Sequence, residues 1–398
     1  MKIFPMSRRT FLAGAAAAGG AAALPLAGAP VPTTRPGGGA ATLKWGIIGT
    51  GTRGAYTHIP VLKEAPESQI VALCDVDAAR LEHATSMVPN PVQAFDDYHK
   101  LLESADVNAV VIAVPNLLHL EVLGAVLAAG KHVLCEKPAG ANMAQAMGMK
   151  KLADEAKTVV MFGMQYRNTA KQKKILELIA EGRIGKPKYM VQNCSRGDWN
   201  LSPNVWRYSD PKVLGGKPVN WRFSHTASGG TLNEFSCHYF DLLHGMAGAT
   251  PQRIGCEGGT SVYQDGRDTW DHASVTMKYP NGLTAVHTLS MFGPGRADVT
   301  VMGDEGFIDA GAGDSLKLTV FGKKGASRKS QEIKPTEPEG HAADRATLGL
   351  YQDFLECFKT GKKPTANAER AVAASRTCWL AELAASRGAE VGWEESLG

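Results

Sequence analysis

The chain has cysteines but lacks any pattern that would pair them. Its seven (Cys74, Cys135, Cys194, Cys237, Cys256, Cys357 and Cys378) are scattered, odd in number and never spaced as CxxC. That excludes a disulfide framework and a cysteine zinc site, and predicts mostly buried, small, apolar side chains. An excess of charge of one sign is missing too. The formal net charge is +4, and without Lys2, Arg8 and Arg9 of the N-terminal segment 40 basic residues face 39 acidic ones. No basic cluster interleaves with aromatic residues, so nucleic acid is set aside as a partner. Beyond the N-terminal segment no apolar run is long enough to span a bilayer, and no internal repeat is evident. What remains is 398 residues, 44% hydrophobic and 21% charged, which predicts two folded domains with real cores.

The N-terminal segment carries Ser7-Arg8-Arg9-Thr10-Phe11-Leu12 before a weakly apolar run, rich in alanine and glycine, that reaches Ala29. Such a glycine-rich run makes a poor packed helix, and Pro32 to Gly39 reads as a linker. The pattern looks like a twin-arginine export signal, hence a periplasmic or otherwise extracytoplasmic protein. That route carries folded proteins, so a cofactor can be loaded before export. Ala27-Gly28-Ala29 has the small residues of a cleavage site, although Pro30 disfavours cleavage there. No Cys follows the run, so no lipid anchor is expected.

Lys44-Trp45-Gly46-Ile47-Ile48 is a short apolar run ending in Gly49-Thr50-Gly51-Thr52-Arg53-Gly54. Helical patterning follows, then a second buried strand, Ile70 to Asp75. A GxGxxG between strand and helix, with an acidic residue closing the next strand, is a dinucleotide-binding arrangement. Gly49 permits the tight turn, Gly51 lets the diphosphate approach the backbone, and Gly54 lets helix and strand pack closely, with phosphate charge meeting the helix N-terminus. Asp75 is expected to bond the adenosine ribose and to repel a 2′-phosphate, favouring NAD; Arg53 and Arg80 keep NADP open. Further strand–helix units follow at Ala109–Val114 with Leu120–Ala129, and at His132–Cys135. Asn116, Glu136 and Lys137 stand at strand carboxyl ends, where ligands of open parallel sheets bind.

Gly49 to Gly54, Cys74-Asp75-Val76-Asp77, Val114-Pro115-Asn116 with His119, and Cys135-Glu136-Lys137-Pro138 together resemble the glucose–fructose oxidoreductase, inositol dehydrogenase and MocA family, over nearly the whole folded chain. The resemblance implies α/β architecture: an N-terminal Rossmann fold, then an α/β domain with an open, mostly antiparallel sheet. The expected division is a signal and linker at 1–40, a nucleotide domain at 41–163, and a substrate and oligomerisation domain at 164–398. The expected cofactor set is Gly49, Gly51, Thr52, Arg53, Gly54, Asp75, Pro115, Asn116, His119, Glu136, Lys137 and Gln165, holding tightly bound NAD.

The later chain agrees on its own pattern. Strand-like runs occur at Tyr189–Cys194, Ala273–Tyr279, Thr284–Ser290, Asp298–Met302, Gly306–Asp309 and Leu316–Phe321. Pro280-Asn281-Gly282 and Gly303-Asp304-Glu305-Gly306 read as hairpin turns, and helices are predicted at Ala346–Lys359 and Ala366–Ser386. One flat sheet face suits a homo-oligomer. After Gly229-Gly230, a helix would place Phe235, Tyr239, Leu242 and Met246 on an apolar stripe, with Glu234, His238 and Asp241 on a second face. Thr231-x-x-Glu234 also reads as a capping box. His238, Asp241 and His244 have metal-compatible spacing but no supporting cluster, so no metal is expected.

The family resemblance implies catalysis by Lys137 and His238, with Glu234 where relatives commonly carry Asp. Tyr166, Arg167, Trp206, Arg207, Asn233 and Asp241 are expected at the substrate. Trp199, Trp221 and Arg222 crowd the same stretch, where aromatic faces and guanidinium groups suit sugars. The expected function is nicotinamide-dependent hydride transfer on a sugar, polyol or glycoside, with His238 as general base and Lys137 polarising the reacting oxygen. Two alternatives stay open: a glycosidase that oxidises its sugar transiently, eliminates the aglycone and re-reduces, and a non-catalytic nucleotide-binding sensor.

Overall fold

The computed structural model describes residues 42–104, 106–197, 207–208, 219–311, 313–322, 327–336 and 345–396. The export segment lies outside them. Most strands of the first sheet are short apolar runs buried on both faces, with a short, exposed edge strand Gln93–Phe95. Its strands are β1 (Leu43–Ile48), β2 (Ser68–Cys74), β3 (Gln93–Phe95), β4 (Ala109–Ile112), β5 (His132–Cys135) and β6 (Val160–Phe162). They are all parallel, in the order β3-β2-β1-β4-β5-β6. The helices that matter for the site are α1 (Ile59–Glu64), α2 (His119–Ala128), α3 (Met143–Glu155), α4 (Ala170–Ala180), α5 (Cys237–Ala247), α6 (Arg345–Thr360) and α7 (Ala368–Arg387). The order reverses between β1 and β4, so a crevice opens beyond their carboxyl ends.

The second sheet has nine strands: β7 (Pro187–Ser195), β10 (Arg253–Gly259), β11 (His272–Lys278), β12 (Thr284–Ser290), β13 (Arg296–Gly303), β14 (Gly306–Ala310), β15 (Leu316–Val320), β16 (Lys329–Ile333) and β17 (Val391–Gly392). A short separate ladder joins β8 (Arg207–Tyr208) to β9 (Val219–Asn220). The order is β16-β15-β14-β13-β7-β12-β11-β10-β17, antiparallel except where β7 meets β12. Strand β11 alternates strictly, Ala273, Val275 and Met277 inward against Ser274, Thr276 and Lys278 outward, as a half-buried strand must. The expected Thr284–Ser290 strand is β12 residue for residue. Strands β10, β16 and β17 were not expected. The first is interrupted by three glycines (RIGCEGG), and the second (KSQEI) is a polar edge strand with no apolar alternation.

The C-terminal helices tie the two sheets together. The Trp45 ring of β1, fully buried, meets Tyr351 and Phe354 of α6 at 5.2 and 4.8 Å between ring centres. Helix α7 packs against both α3 and α5. Residues as far apart in sequence as Leu43 and Val391 thereby share one core.

Candidate active site

The loop after β1 shows why two of its glycines are required. Gly49 has φ of +93°, and a Cβ there would stand 2.5 Å from the Ala113 carbonyl oxygen. A Cβ on Gly54 would overlap the Gly49 carbonyl oxygen. Above Gly51, by contrast, the nearest atom to a Cβ would be Arg80 Nη1 at 3.8 Å, which leaves room for a ligand over the backbone. Asp75, at the end of β2, accepts from Thr50 N at 2.7 Å, Thr50 Oγ1 at 3.2 Å and Asp77 N at 2.9 Å. It therefore fixes the loop at the carboxyl end of β2. Thr52 is exposed on the loop. These residues fit a dinucleotide: the loop backbone would hold its diphosphate, and Asp75 its adenosine ribose.

Arg53 turns away from that end. Its Nε donates to Glu136 Oε1 at 2.7 Å and its Nη2 to Thr347 Oγ1 at 3.1 Å. With its amide turned to match its neighbours, Gln165 accepts from Arg53 Nη2 at 3.1 Å. Glu136 Oε1 also meets His58 Nε2 at 3.0 Å, and His58 Nδ1 meets the Tyr351 hydroxyl at 2.7 Å. Burial opposes ionisation of Glu136, but Arg53, His58 and Lys137 hold it well below the usual carboxylate range.

Lys137 follows Glu136 and precedes a cis proline. Its Nζ donates to the Glu234 carbonyl at 2.7 Å and to Glu234 Oε1 at 3.1 Å. Glu234 Oε2 accepts from Asn116 Nδ2 at 2.9 Å, and Arg222 forms an ion pair with Oε1. Glu234 is only 1% exposed. No capping box forms: Thr231 Oγ1 donates instead to the Trp270 carbonyl at 2.6 Å, and Glu234 sits in a wide five-residue turn, Leu232–Ser236, that runs into α5. Wide turns of this kind recur at functional sites.

His238 lies on the first turn of α5, its ring stacked on Tyr166 with centres 4.2 Å apart. Its Nδ1 is buried and has no hydrogen-bond partner among the described residues. Glu234 and His238 are thus brought to one place without bonding each other. Burial and then the Lys137 charge push the imidazole well below its ordinary pKa, while burial above all pushes Lys137 down to about 8. Both nitrogen bases are consequently driven toward their uncharged forms.

Several expected ligand contacts are turned inward instead. His119 is fully buried, its Nδ1 on the Pro138 carbonyl at 2.9 Å and its Nε2 on the Val114 carbonyl at 3.0 Å, so it braces the Lys137–Pro138 loop. Asn233 is also fully buried, and its Nδ2 bonds the carbonyls of Gly140 and Ser228. Arg167 and Asp241 pair with each other, Nε to Oδ2 at 3.1 Å and Nη2 to Oδ1 at 3.0 Å. A sequence stripe shows which face a residue occupies but not that its partner is another protein group. His244 is held between the Tyr279 hydroxyl and Thr377 Oγ1. Pro115 caps the short turn that presents Asn116. Trp199, Trp206 and the Arg207 side chain lie outside the described residues.

Arg222, pointed to with Trp221 in the sequence, joins the cluster, and His58, Thr347 and Tyr351 join it although they were not expected there. The others come from α1's approach and from α6, nearly 300 residues away, where sequence holds no sign of proximity.

A Rossmann crevice with a buried Lys137–Glu234 pair and an adjoining imidazole defines a nicotinamide-linked oxidoreductase. The oxidoreductase-family NAD-binding Rossmann description matches residues 43–164, and the Gfo/Idh/MocA C-terminal domain description matches residues 173–309. The chain belongs to the Gfo/Idh/MocA oxidoreductase family. A twin-arginine translocation signal matches residues 5–25. Among curated relatives, an uncharacterized oxidoreductase of Synechocystis sp. is 28% identical over 202 residues, 51% of this chain and 50% of that protein. Myo-inositol 2-dehydrogenase of Thermotoga maritima is 24% identical over 373 residues, 89% of this chain and all of the relative. The chain thus spans half the length of the former relative and the whole of the latter. The solved structure of levoglucosan dehydrogenase in complex with NADH superposes with a TM-score of 0.77 at 19% identity, covering 89% of this chain and 100% of that one; this likeness shows the fold.

Proposed function

We propose that the protein is an exported, NAD-dependent oxidoreductase that oxidises a secondary hydroxyl of a sugar or polyol. The observation that carries the reading is the meeting of Lys137 Nζ, Glu234 and the stacked His238 ring at the carboxyl edge of a dinucleotide-binding sheet. The names of the two dehydrogenase relatives support a carbohydrate substrate. When bound, a nicotinamide ring supplies the acceptor for hydride from the substrate carbon. Lys137 and His238 flank the hydroxyl, and their uncharged forms can bond or take its proton near neutral pH. Asn116 and Arg222 hold the Glu234 carboxylate, and Arg53, His58 and Lys137 N hold that of Glu136, so neither buried carboxylate lacks a partner.

Asp75 favours NAD over NADP, since a 2′-phosphate beside it would meet a like charge. Export away from the cytoplasmic nucleotide pool favours a cofactor that stays bound, in the periplasm or its equivalent. No helix among the described residues is long and apolar enough to cross a membrane. The outward face of the second sheet exposes Tyr189 and Met302 side by side on β7 and β13, which supports self-association through that face. The test is redox balance with purified protein and a panel of sugars, polyols and glycosides. Ketone and reduced nicotinamide in equal amounts support the reading. Release of an aglycone without net reduction would replace it with the glycosidase cycle.

A further inference from the structure

We propose that Arg222 is a positioning residue: by sharing the Glu234 carboxylate with Lys137, it frees the Lys137 amine to accept the proton of the substrate hydroxyl. The inference rests on the reading of this site as an alcohol-oxidising centre, and it reverses the roles expected for Lys137 and His238.

The argument begins from the carboxylate. Glu234 Oε1 takes both Lys137 Nζ and the Arg222 guanidinium, while Oε2 takes Asn116 Nδ2. A buried lysine facing a carboxylate alone is held in its charged form. Burial lowers the Arg222 guanidinium to about 9, which is still above Lys137, so Arg222 keeps its charge at the pH where Lys137 begins to lose its own. When both share one carboxylate, the lysine is the cation that can give up its charge. Glu234 then remains paired with Arg222, and no buried charge is stranded. Arg222 is well placed for this: it stands in the short turn Trp221–Phe223, stacks on the Trp221 ring at 4.6 Å, and its backbone N donates to Asn220 Oδ1.

The other groups around Lys137 do not supply this function. Glu136, its neighbour in the chain, is engaged by Arg53 of the β1 loop and by His58. Cys237 on α5 is pushed by burial up to about 11 and stays a thiol. His119 of α2 and His238 of α5 are both driven by burial toward the neutral imidazole. His238 Nδ1 donates to no carboxylate among the described residues, so an imidazolium there has no hydrogen-bonded counter-ion. Burial pushes Lys137 down to about 8, and Arg222 and Arg53 act in the same direction against Cys237 and Glu136. In the resulting step the hydroxyl proton passes to Lys137 Nζ, the carbon's hydrogen leaves with its electron pair to the nicotinamide, and the C–O bond becomes a carbonyl.

The test needs neither substrate nor cofactor. The full-length protein is pulsed with acetic anhydride across a pH series, and acetylation of Lys137 is read by peptide mass spectrometry, with surface lysines as controls. The wild-type half-point is expected near pH 8. In Arg222→Gln it should rise by about one unit, equivalent to ~1.4 kcal/mol, and Arg222→Lys should return it part of the way. Glu234→Gln should move it the opposite way, to lower pH, which keeps the proposal testable if Arg222→Gln does not fold. An unmoved half-point in Arg222→Gln, or a rise in Glu234→Gln, would overturn it. Failure to oxidise any carbohydrate would instead count against the functional reading and leave these half-points interpretable.

Discussion

Glu136 and Glu234 are the same residue type, both buried and both bonded to Lys137, yet their partners differ. Glu136 is tied to Arg53 and to the His58–Tyr351 pair, partners that belong to the first sheet's loop, α1 and α6. It joins those elements and accepts from Arg53, His58 and the Lys137 backbone. Glu234 is tied to Lys137, Arg222 and Asn116, and its turn opens into the helix that carries His238. On the proposed reading, one carboxylate braces the scaffold and the other conditions a proton acceptor. Burial and an arginine partner alone do not separate the two roles; the Lys137 amine, which bonds Glu234 and not Glu136, does.

That contrast can be broken most severely at Lys137. Lys137→Ala should lower kcat/KM by on the order of 10³-fold, the upper part of what a positioned acid–base group contributes, while leaving nucleotide binding measurable by calorimetry. Near-normal turnover in that variant would remove Lys137 from the chemistry. Next, Glu136→Ala should chiefly destabilise, by about 3 kcal/mol, because it removes the buried acceptor shared by Arg53 and the fully buried His58. Chemical denaturation should show that loss, whereas Glu234→Gln should cost less stability and alter the pH profile more. If both variants act alike in the two assays, the division between brace and relay fails.

The pH dependence sharpens the comparison further. Below about pH 8 Lys137 is protonated and cannot accept a proton, so kcat/KM for oxidation should climb as pH rises through that value and level off above it. The folded-state value lies below the ordinary lysine value of 10.5. The unfolded chain therefore binds the proton more tightly, and this group's contribution to stability grows from about pH 8 to 10.5 rather than fading. Smallest of all, Tyr166→Leu should cost roughly 10-fold in kcat/KM through looser placement of His238, with melting temperature nearly unchanged. A large loss of stability without a kinetic effect would mean that Tyr166 serves only to pack.

Much of this was legible beforehand. Strand β5 and the Gly49–Gly54 loop could be read because buried parallel strands are short apolar runs and phosphate loops need glycine at set places. Lys137, Glu234 and His238 were identifiable from strand ends and helical spacing, together with the family resemblance. What stayed hidden has a common physical cause. His119, Asn233, Arg167 and Asp241 are polar residues on the correct elements whose hydrogen bonds are satisfied by distant backbone or by one another. Pattern shows that a polar group sits near a site; only the fold shows which acceptor takes its proton. Thr347 and Tyr351 entered through long-range packing, and β10 and β16 lack the alternation that marks a strand.

The most direct test of the account is the identity of the ligand carried by the native, exported protein. Denaturing the purified protein and analysing what it releases by mass spectrometry should give NAD or NADH, close to one per chain. A chain that carries no nucleotide, and that shows no binding when NAD is titrated into it, would contradict the reading of the Gly49–Gly54 crevice and everything built upon it.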